Sequence, residues 1–323
     1  RRAECVRVQA GNSSRKRSNS ERVSHRLKKL KVRKQRKRQS RRERRTKETA
    51  LVQRSERAKL SSSTDELKSI ILQYLCKKKA EPHVLAVDLG CGTGQNSRLL
   101  APHFQEVVGI DISDGQLEEA RAVPGYPNVT YRKGTAEELP FPDCSVDLLA
   151  AASAAHWFDQ SRFLAEASRV LKPGGCVALL GFTDSGTRFH YQGCGERLNH
   201  MYEEVKQVLL PFTSNRVAVA EGKLEELYTA IPFPDKERIE GVKVKSSISV
   251  RNLVGFIETW SMFQGFKKKD PEAAGELLLT TQKRFLEAMG VMSPDTEMEK
   301  EMEYYCILTS KPAQSASRVP AGP

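Results

Sequence analysis

The chain has 323 residues and a formal net charge of +13, from 53 Lys and Arg against 40 Asp and Glu. Residues 1–59 alone hold 24 Lys and Arg and 5 Asp and Glu, a net of +19, which leaves the other 264 residues at −6. The basic excess belongs to a head, so it does not argue for a polyanionic substrate of the rest of the chain.

The first aromatic residue is Tyr74. A segment so poor in apolar groups cannot offset its ordering entropy, so residues 1–60 read as a disordered head. Its basic run from Lys28 to Arg38 suits phosphate contacts or nuclear import, and nucleic acid is expected only through it. The first Met is Met201, and the head reads as an extension dispensable to the domain. No apolar run approaches the ~18 residues of a membrane span, and no membrane partner is expected. Seven cysteines, odd in number and without a CxxC pair, argue for free thiols over a disulfide framework or a zinc site. The expected compartment is cytoplasmic, or nuclear if the head is native.

The domain is expected over 61–312, with a frayed tail at 313–323. Ser63 with Glu66 forms a capping-box pattern, followed by Leu67, Ile70, Ile71, Tyr74 and Leu75 at helical spacing and Lys77 to Lys79 at the helix C-terminus. His83 to Asp88 reads as a buried strand running into Gly90-Cys91-Gly92-Thr93-Gly94 and a helix ending near His103. A strand over 106–111, a helix capped by Ser113 and a strand over 128–133 follow. Next come a strand over 146–152 and a helix capped by Asp159 and stopped by Pro173-Gly174-Gly175. A fifth strand spans 176–182. This alternation predicts an α/β fold with a mostly parallel, doubly covered sheet. Further on come a helix over 195–210, a strand over 242–249, and a helix with Leu253, Phe256, Ile257 and Trp260. A helix from Asp270-Pro271 to Gly290 and a strand over 301–310 complete the chain. Residues 185–240 are expected to form a helical cover over a pocket.

Three clusters carry chemistry. Glycines at 90, 92 and 94 let the backbone turn sharply and approach a ligand at a helix N-terminus. A dinucleotide fingerprint would place its last glycine at 95, where this chain has Gln95, so a nicotinamide dehydrogenase is disfavoured. Asp88 precedes the loop, where a carboxylate repels a pyrophosphate and suits a cationic amine. Asp111 ends the second strand, 17 residues after Gly94, where an acid can accept hydrogen bonds from ribose hydroxyls. Gly134-Thr135-Ala136-Glu137 follows the third strand, where a loop can frame an adenine. Together the clusters fit an adenosyl ligand without phosphate.

On these residues the run from Val84 to Phe182 resembles the class I S-adenosylmethionine-dependent methyltransferases. The resemblance implies a seven-stranded sheet whose last strand is antiparallel, and S-adenosyl-L-methionine as cofactor. It implies that Asp88 and the loop Gly90, Cys91, Gly92 and Gly94 hold the methionine end. Asp111 and Ile112 would lie at the ribose, and Thr135, Ala136 and Glu137 would border the adenine. Many members carry Gly-Asp-Ala where this chain has Gly134-Thr135-Ala136, and Glu137 is the substitute acid. Ala154-Ala155-His156-Trp157-Phe158-Asp159 and Glu258-Thr259-Trp260-Ser261 further resemble the eukaryotic branch related to trans-aconitate methyltransferase, which esterifies small carboxylic acids. The acceptor is therefore expected to be a small molecule, with a carboxylate oxygen leading. His156 is the catalytic candidate, either a general base or a group that orients the acceptor. A carboxylate is already ionised at neutral pH and needs no base. Trp157 and Trp260 read equally as pocket or core. The rivals are an RNA or protein methyltransferase using the head, and a non-catalytic binding protein of the same fold. No metal is assigned.

Overall fold

The computed structural model describes residues 61–313. The expected head and nearly all of the expected tail lie outside the described residues. The elements run in the order α1 (Ser61–Lys78), β1 (Leu85–Leu89), α2 (Gln95–Leu100), β2 (Glu106–Asp111), α3 (Asp114–Arg121), β3 (Val129–Lys133), β4 (Val146–Ala152) and α4 (Gln160–Val170). They continue with β5 (Leu171–His190), α5 (Gly195–Leu209), α6 (Asn215–Glu221), α7 (Glu225–Ala230) and β6 (Asp235–Ser249). The last are α8 (Val250–Thr259), α9 (Ser261–Lys269), α10 (Pro271–Met289) and β7 (Glu297–Ser310).

The seven strands form one sheet in the order β3-β2-β1-β4-β5-β7-β6. β1 to β5 pair in parallel, and β7 runs antiparallel to both β5 and β6. Strand order reverses between β1 and β4, the place where open α/β sheets bind ligands at the carboxyl ends of their strands. Period-two alternation divides the core. Leu85, Val87, Leu89, Val108, Ile110, Leu149 and Ala151 pack on one side with Phe163, Ala167 and Val170 of α4. Ala86, Val107, Leu148, Ala150 and Ala178 pack on the other with Ile71, Tyr74 and Leu75 of α1. A further cluster joins Leu198, Tyr202 and Val205 of α5 to Leu253 and Ile257 of α8 and Phe285 of α10.

Capping follows the sequence at several ends. Ser113 Oγ accepts from the Gln116 N–H, Asp159 from the Arg162 N–H and Asp270 from the Ala273 N–H, and Gly290 ends α10 with φ 67°. Asp147 breaks an otherwise apolar strand for a structural reason. One oxygen of its buried carboxylate accepts from the Val84 and Leu85 N–H groups and from Lys172 Nζ, each at 2.9 Å, which pins the start of β1 to β4.

Several expected boundaries move. α1 is already helical at Ser61, so Ser63 sits inside it rather than at its cap. Ser and Thr cost a helix only a few tenths of a kcal/mol each, less than its packed face returns. β5 begins at Leu171 and continues to His190, β6 begins at Asp235 and β7 at Glu297. Their outer parts pair with one another as an antiparallel ribbon, and this long-range pairing holds the polar segment after Phe182 extended. The helical part of the expected 185–240 cover is therefore α5 to α7, and α8 and α9 close over the same side. α9 was not among the expected helices. Among the described residues no helix is long and apolar enough to cross a membrane.

Candidate active site

The carboxyl ends of β1 and β2 carry the glycine loop and the strand-tip acid together. Gly90, Gly92 and Gly94 have φ of 64°, 53° and 75°, the left-handed region that glycine adopts without strain. Close packing adds a second demand. A Cβ on Gly90 would lie 2.4 Å from Ala154 Cβ, and one on Gly94 would lie 2.2 Å from the Tyr131 hydroxyl. The first contact also sets the loop directly against the segment that follows β4.

Asp111 braces this loop. Its Oδ2 accepts from the Gly92 N–H and its Oδ1 from the Ser113 N–H, both at 2.8 Å. Each carboxylate oxygen has a second lone pair, so the strand-tip acid keeps acceptor capacity for a ligand hydroxyl. Beside it Ile112 is 70% exposed, an apolar side chain offered to whatever occupies the loop. Asp88 is placed differently. Its carboxylate is fully buried, with Oδ1 accepting from Asn96 Nδ2 at 2.7 Å and Oδ2 from Ser97 Oγ at 2.6 Å. It thus ties the start of α2 beneath the loop. Burial raises its pKa to about 6, against the pull of those hydrogen bonds. Cys91 is buried in the loop and burial pushes its thiol well above the ordinary range, so it is not a nucleophile at neutral pH.

The third cluster adjoins the second, since the Gly134 N–H donates to the Asp111 carbonyl at 3.1 Å. Thr135 is exposed and Ala136 buried. Glu137 Oε1 accepts from the Asp159 N–H at 2.8 Å, which ties this loop to the start of α4. A cradle of left-handed glycines, a strand-tip carboxylate with free lone pairs and an exposed apolar side chain fit an adenosyl ligand bearing an amino-acid tail.

Next to the cradle lies a cavity of about 330 Å³. His156 and Trp157 reach it from the short 3-10 helix after β4, and Phe182 and Asp184 from β5. Glu221 of α6, Phe256 of α8, Met262 of α9 and Trp260 between those two helices close the far side. Both tryptophans left open between pocket and core therefore line the cavity, with Trp260 edge-on to Tyr202 and Phe256. His156 is half-buried, with its ring 5.0 Å from that of Trp157. Burial, and then the charge of Arg216, hold its pKa below the ordinary histidine value, so it is neutral at pH 7. Sequence reasoning missed Phe182, Asp184, Glu221 and Phe256 as lining residues. They come from three elements, β5, α6 and α8, that only the tertiary fold brings to one place, and none lies in a motif.

The mostly parallel sheet with its reversed strand β7 and a glycine loop beside a strand-tip acid is the fold of the class I S-adenosylmethionine-dependent methyltransferases. Comparison with known proteins gives the particulars. Residues 87–179 match the family model described as a methyltransferase domain. A candidate methyltransferase of Dictyostelium discoideum is 28% identical over 250 residues, covering 76% of this chain and 88% of that protein. An Aspergillus sclerotiorum protein named as an O-methyltransferase is 32% identical over 157 residues, 42% of this chain and 59% of its own length. Among solved structures, a candidate type II methyltransferase from Anaeromyxobacter dehalogenans superposes with a TM-score of 0.58 at 25% identity, covering 76% of this chain and 96% of that one. These matches carry the class and its cofactor; the likeness to the trans-aconitate branch rests on the sequence residues alone.

Proposed function

We propose that the chain methylates a small molecule bound in the cavity between His156 and α8–α9, and that the acceptor atom is a hydroxyl oxygen of a neutral, largely apolar compound. S-adenosylmethionine, when bound, supplies an electrophilic methyl group on a sulfonium. The loop residues and Asp111 are proposed to hold it, with Asp88 acting from beneath through α2. The observation that carries the acceptor class is the cavity lining. Aromatic groups dominate it, Asp184 and Glu221 are its carboxylates, and no Lys or Arg is among the described lining residues. Lys206 is ion-paired to Asp184, and no cation lines the cavity to receive a further anion, so a free carboxylate there would face the acids unpaired, whereas a neutral hydroxyl would not.

In this reading His156 does two things. It positions the acceptor against Trp157, and its neutral imidazole takes the hydroxyl proton as the oxygen is methylated. The O-methyltransferase relationship named above supports an oxygen acceptor. A carboxylate acceptor, favoured by the sequence resemblance, is the second reading. Its support is Arg216, whose positive charge acts on His156.

The test is transfer of tritiated methyl from S-adenosylmethionine into an extract split into small-molecule, protein and RNA fractions. The expected product is a base-stable ether in the small-molecule fraction. A base-labile ester selects the carboxylate reading, and label confined to protein or RNA refutes the small-molecule reading. His156→Ala should slow transfer to a hydroxyl by about 10²–10⁴-fold. For a hydroxyl acceptor the wild-type rate should fall only as pH drops below 6.5, where the imidazole protonates.

A further inference from the structure

We propose that Cys76, Glu81 and His83 form a zinc-class metal site that clips the end of α1 to the start of β1. The three residues offer a thiol sulfur, a carboxylate oxygen and an imidazole nitrogen, all within 4.8 Å of one another. That donor set is the one that borderline-soft divalent cations select. The separations suit a tetrahedral ion. Zinc bonds of about 2.3 Å to sulfur and about 2.0–2.1 Å to nitrogen put two such ligands about 3.5 Å apart at the tetrahedral angle. Cys76 Sγ lies 3.6 Å from His83 Nε2 and 4.0 Å from Glu81 Oε1. The second distance needs a closing of about 0.5 Å, which a rotamer adjustment of the exposed Glu81 provides.

A simple thiol–imidazole contact accounts for the first distance but leaves the histidine poorly satisfied. His83 is 4% exposed, its Nδ1 is buried without a hydrogen-bond partner, and its Nε2 meets only the weak thiol. An ion on Nε2 would give that nitrogen the strong partner that the thiol does not supply, with Nδ1 carrying the ring proton. Access and charge agree. Cys76 and Glu81 are exposed, so an ion can enter from solvent, and three protein donors leave the fourth position to water. Of the neighbouring lysines, Lys78 is paired with Asp235 and Lys79 with Asp147. Coordination would expel the thiol proton to solvent, and thiolate and carboxylate together would balance a divalent charge.

The position in the fold makes the site structural. It lies at the amino end of β1, whereas the glycine loop leaves the carboxyl end of the same strand. The clip would fasten α1 near the place where Tyr74 and Lys78 already bind Asp235 at 2.8 and 2.9 Å. The reading of seven cysteines as uncommitted thiols overlooks this arrangement, because Cys76, Glu81 and His83 match no CxxC or HxxxH spacing.

The experiment titrates cobalt(II) and zinc(II) into the full chain after chelator treatment under reducing conditions. One equivalent of cobalt should bind with a near-ultraviolet sulfur-to-metal charge-transfer band and visible bands of tetrahedral intensity, and zinc should displace it. Cys76→Ser should abolish the charge-transfer band, and Glu81→Gln should weaken binding at least tenfold. Both positions are exposed, and affinity for S-adenosylmethionine should stay unchanged in both variants. Cys144→Ser, at another exposed cysteine, should leave the band intact. Absence of saturable one-equivalent binding overturns the proposal, as does a band that survives Cys76→Ser.

Discussion

Asp88 gives the most direct test of the physical account of the cofactor cradle. Its carboxylate is wholly buried, and that burial raises the pKa from 3.8 to about 6 even though Asn96 and Ser97 donate to it. Well below pH 3.8, both the folded and the unfolded chain hold this proton. Between pH 4 and 6 the unfolded chain has released it and the folded chain has not, so stability falls as pH rises through that window and levels off above it. The difference between the two values corresponds to about 3 kcal/mol at neutral pH. Asp88→Asn removes the titration and keeps an oxygen for Ser97, while Asn96 can turn its amide to match. Urea unfolding of wild type and variant from pH 3 to pH 7 isolates the effect, because every other titrating group is common to both. The wild-type stability relative to the variant should decline by about 3 kcal/mol over that range. A difference that stays flat with pH, or that rises, refutes the assignment of burial as the dominant force on this carboxylate.

Three further outcomes follow from the same geometry. Asp111→Ala removes the acid proposed for the ribose and two 2.8 Å charge-assisted hydrogen bonds, one from Gly92 that braces the glycine loop and one from Ser113 at the start of α3. Calorimetric affinity for S-adenosylhomocysteine should fall by about 1–3 kcal/mol, and unchanged affinity refutes the role. Gly90→Ala combines a positive φ with a Cβ 2.4 Å from that of Ala154, so it should cost at least about 2 kcal/mol in thermal unfolding and abolish transfer. A stable, active variant would contradict the packed loop. Removal of residues 1–59 should leave cofactor affinity intact, since the loop, Asp111 and the cavity are built wholly from later residues; a tenfold loss measured by calorimetry would make the head part of the site.

Much of the sheet and the cofactor cradle was legible in the sequence because both are local. Strand two and strand four coincide with the expected runs, Glu106–Asp111 and Val146–Ala152, since a buried strand in a parallel sheet is a continuous apolar run between turn signals. The glycine loop is equally local, because its left-handed backbone and tight approach to Ala154 permit little besides glycine. The outer sheet was less legible. Asp235 to Gly241 and Asp184 to His190 are polar, and what makes them strands is pairing with β7 from residues 297 onward, a contact that no local pattern reports. The cavity beside the glycine loop is the extreme case. His156 carries a motif, but its neighbours Phe182, Glu221, Phe256 and Trp260 come from separate elements and meet only after the ribbon and α8–α9 fold back over the strand tips.

The sequence by itself determined the class of fold and the place of the glycine loop and its strand-tip acid, because backbone conformation and strand burial act within a few residues. The tertiary structure alone decided which groups line the cavity, that Asp88 lies beneath the loop, and that Cys76, Glu81 and His83 converge. Those are distances between side chains on different elements, and they exist only once the sheet has set its neighbours side by side.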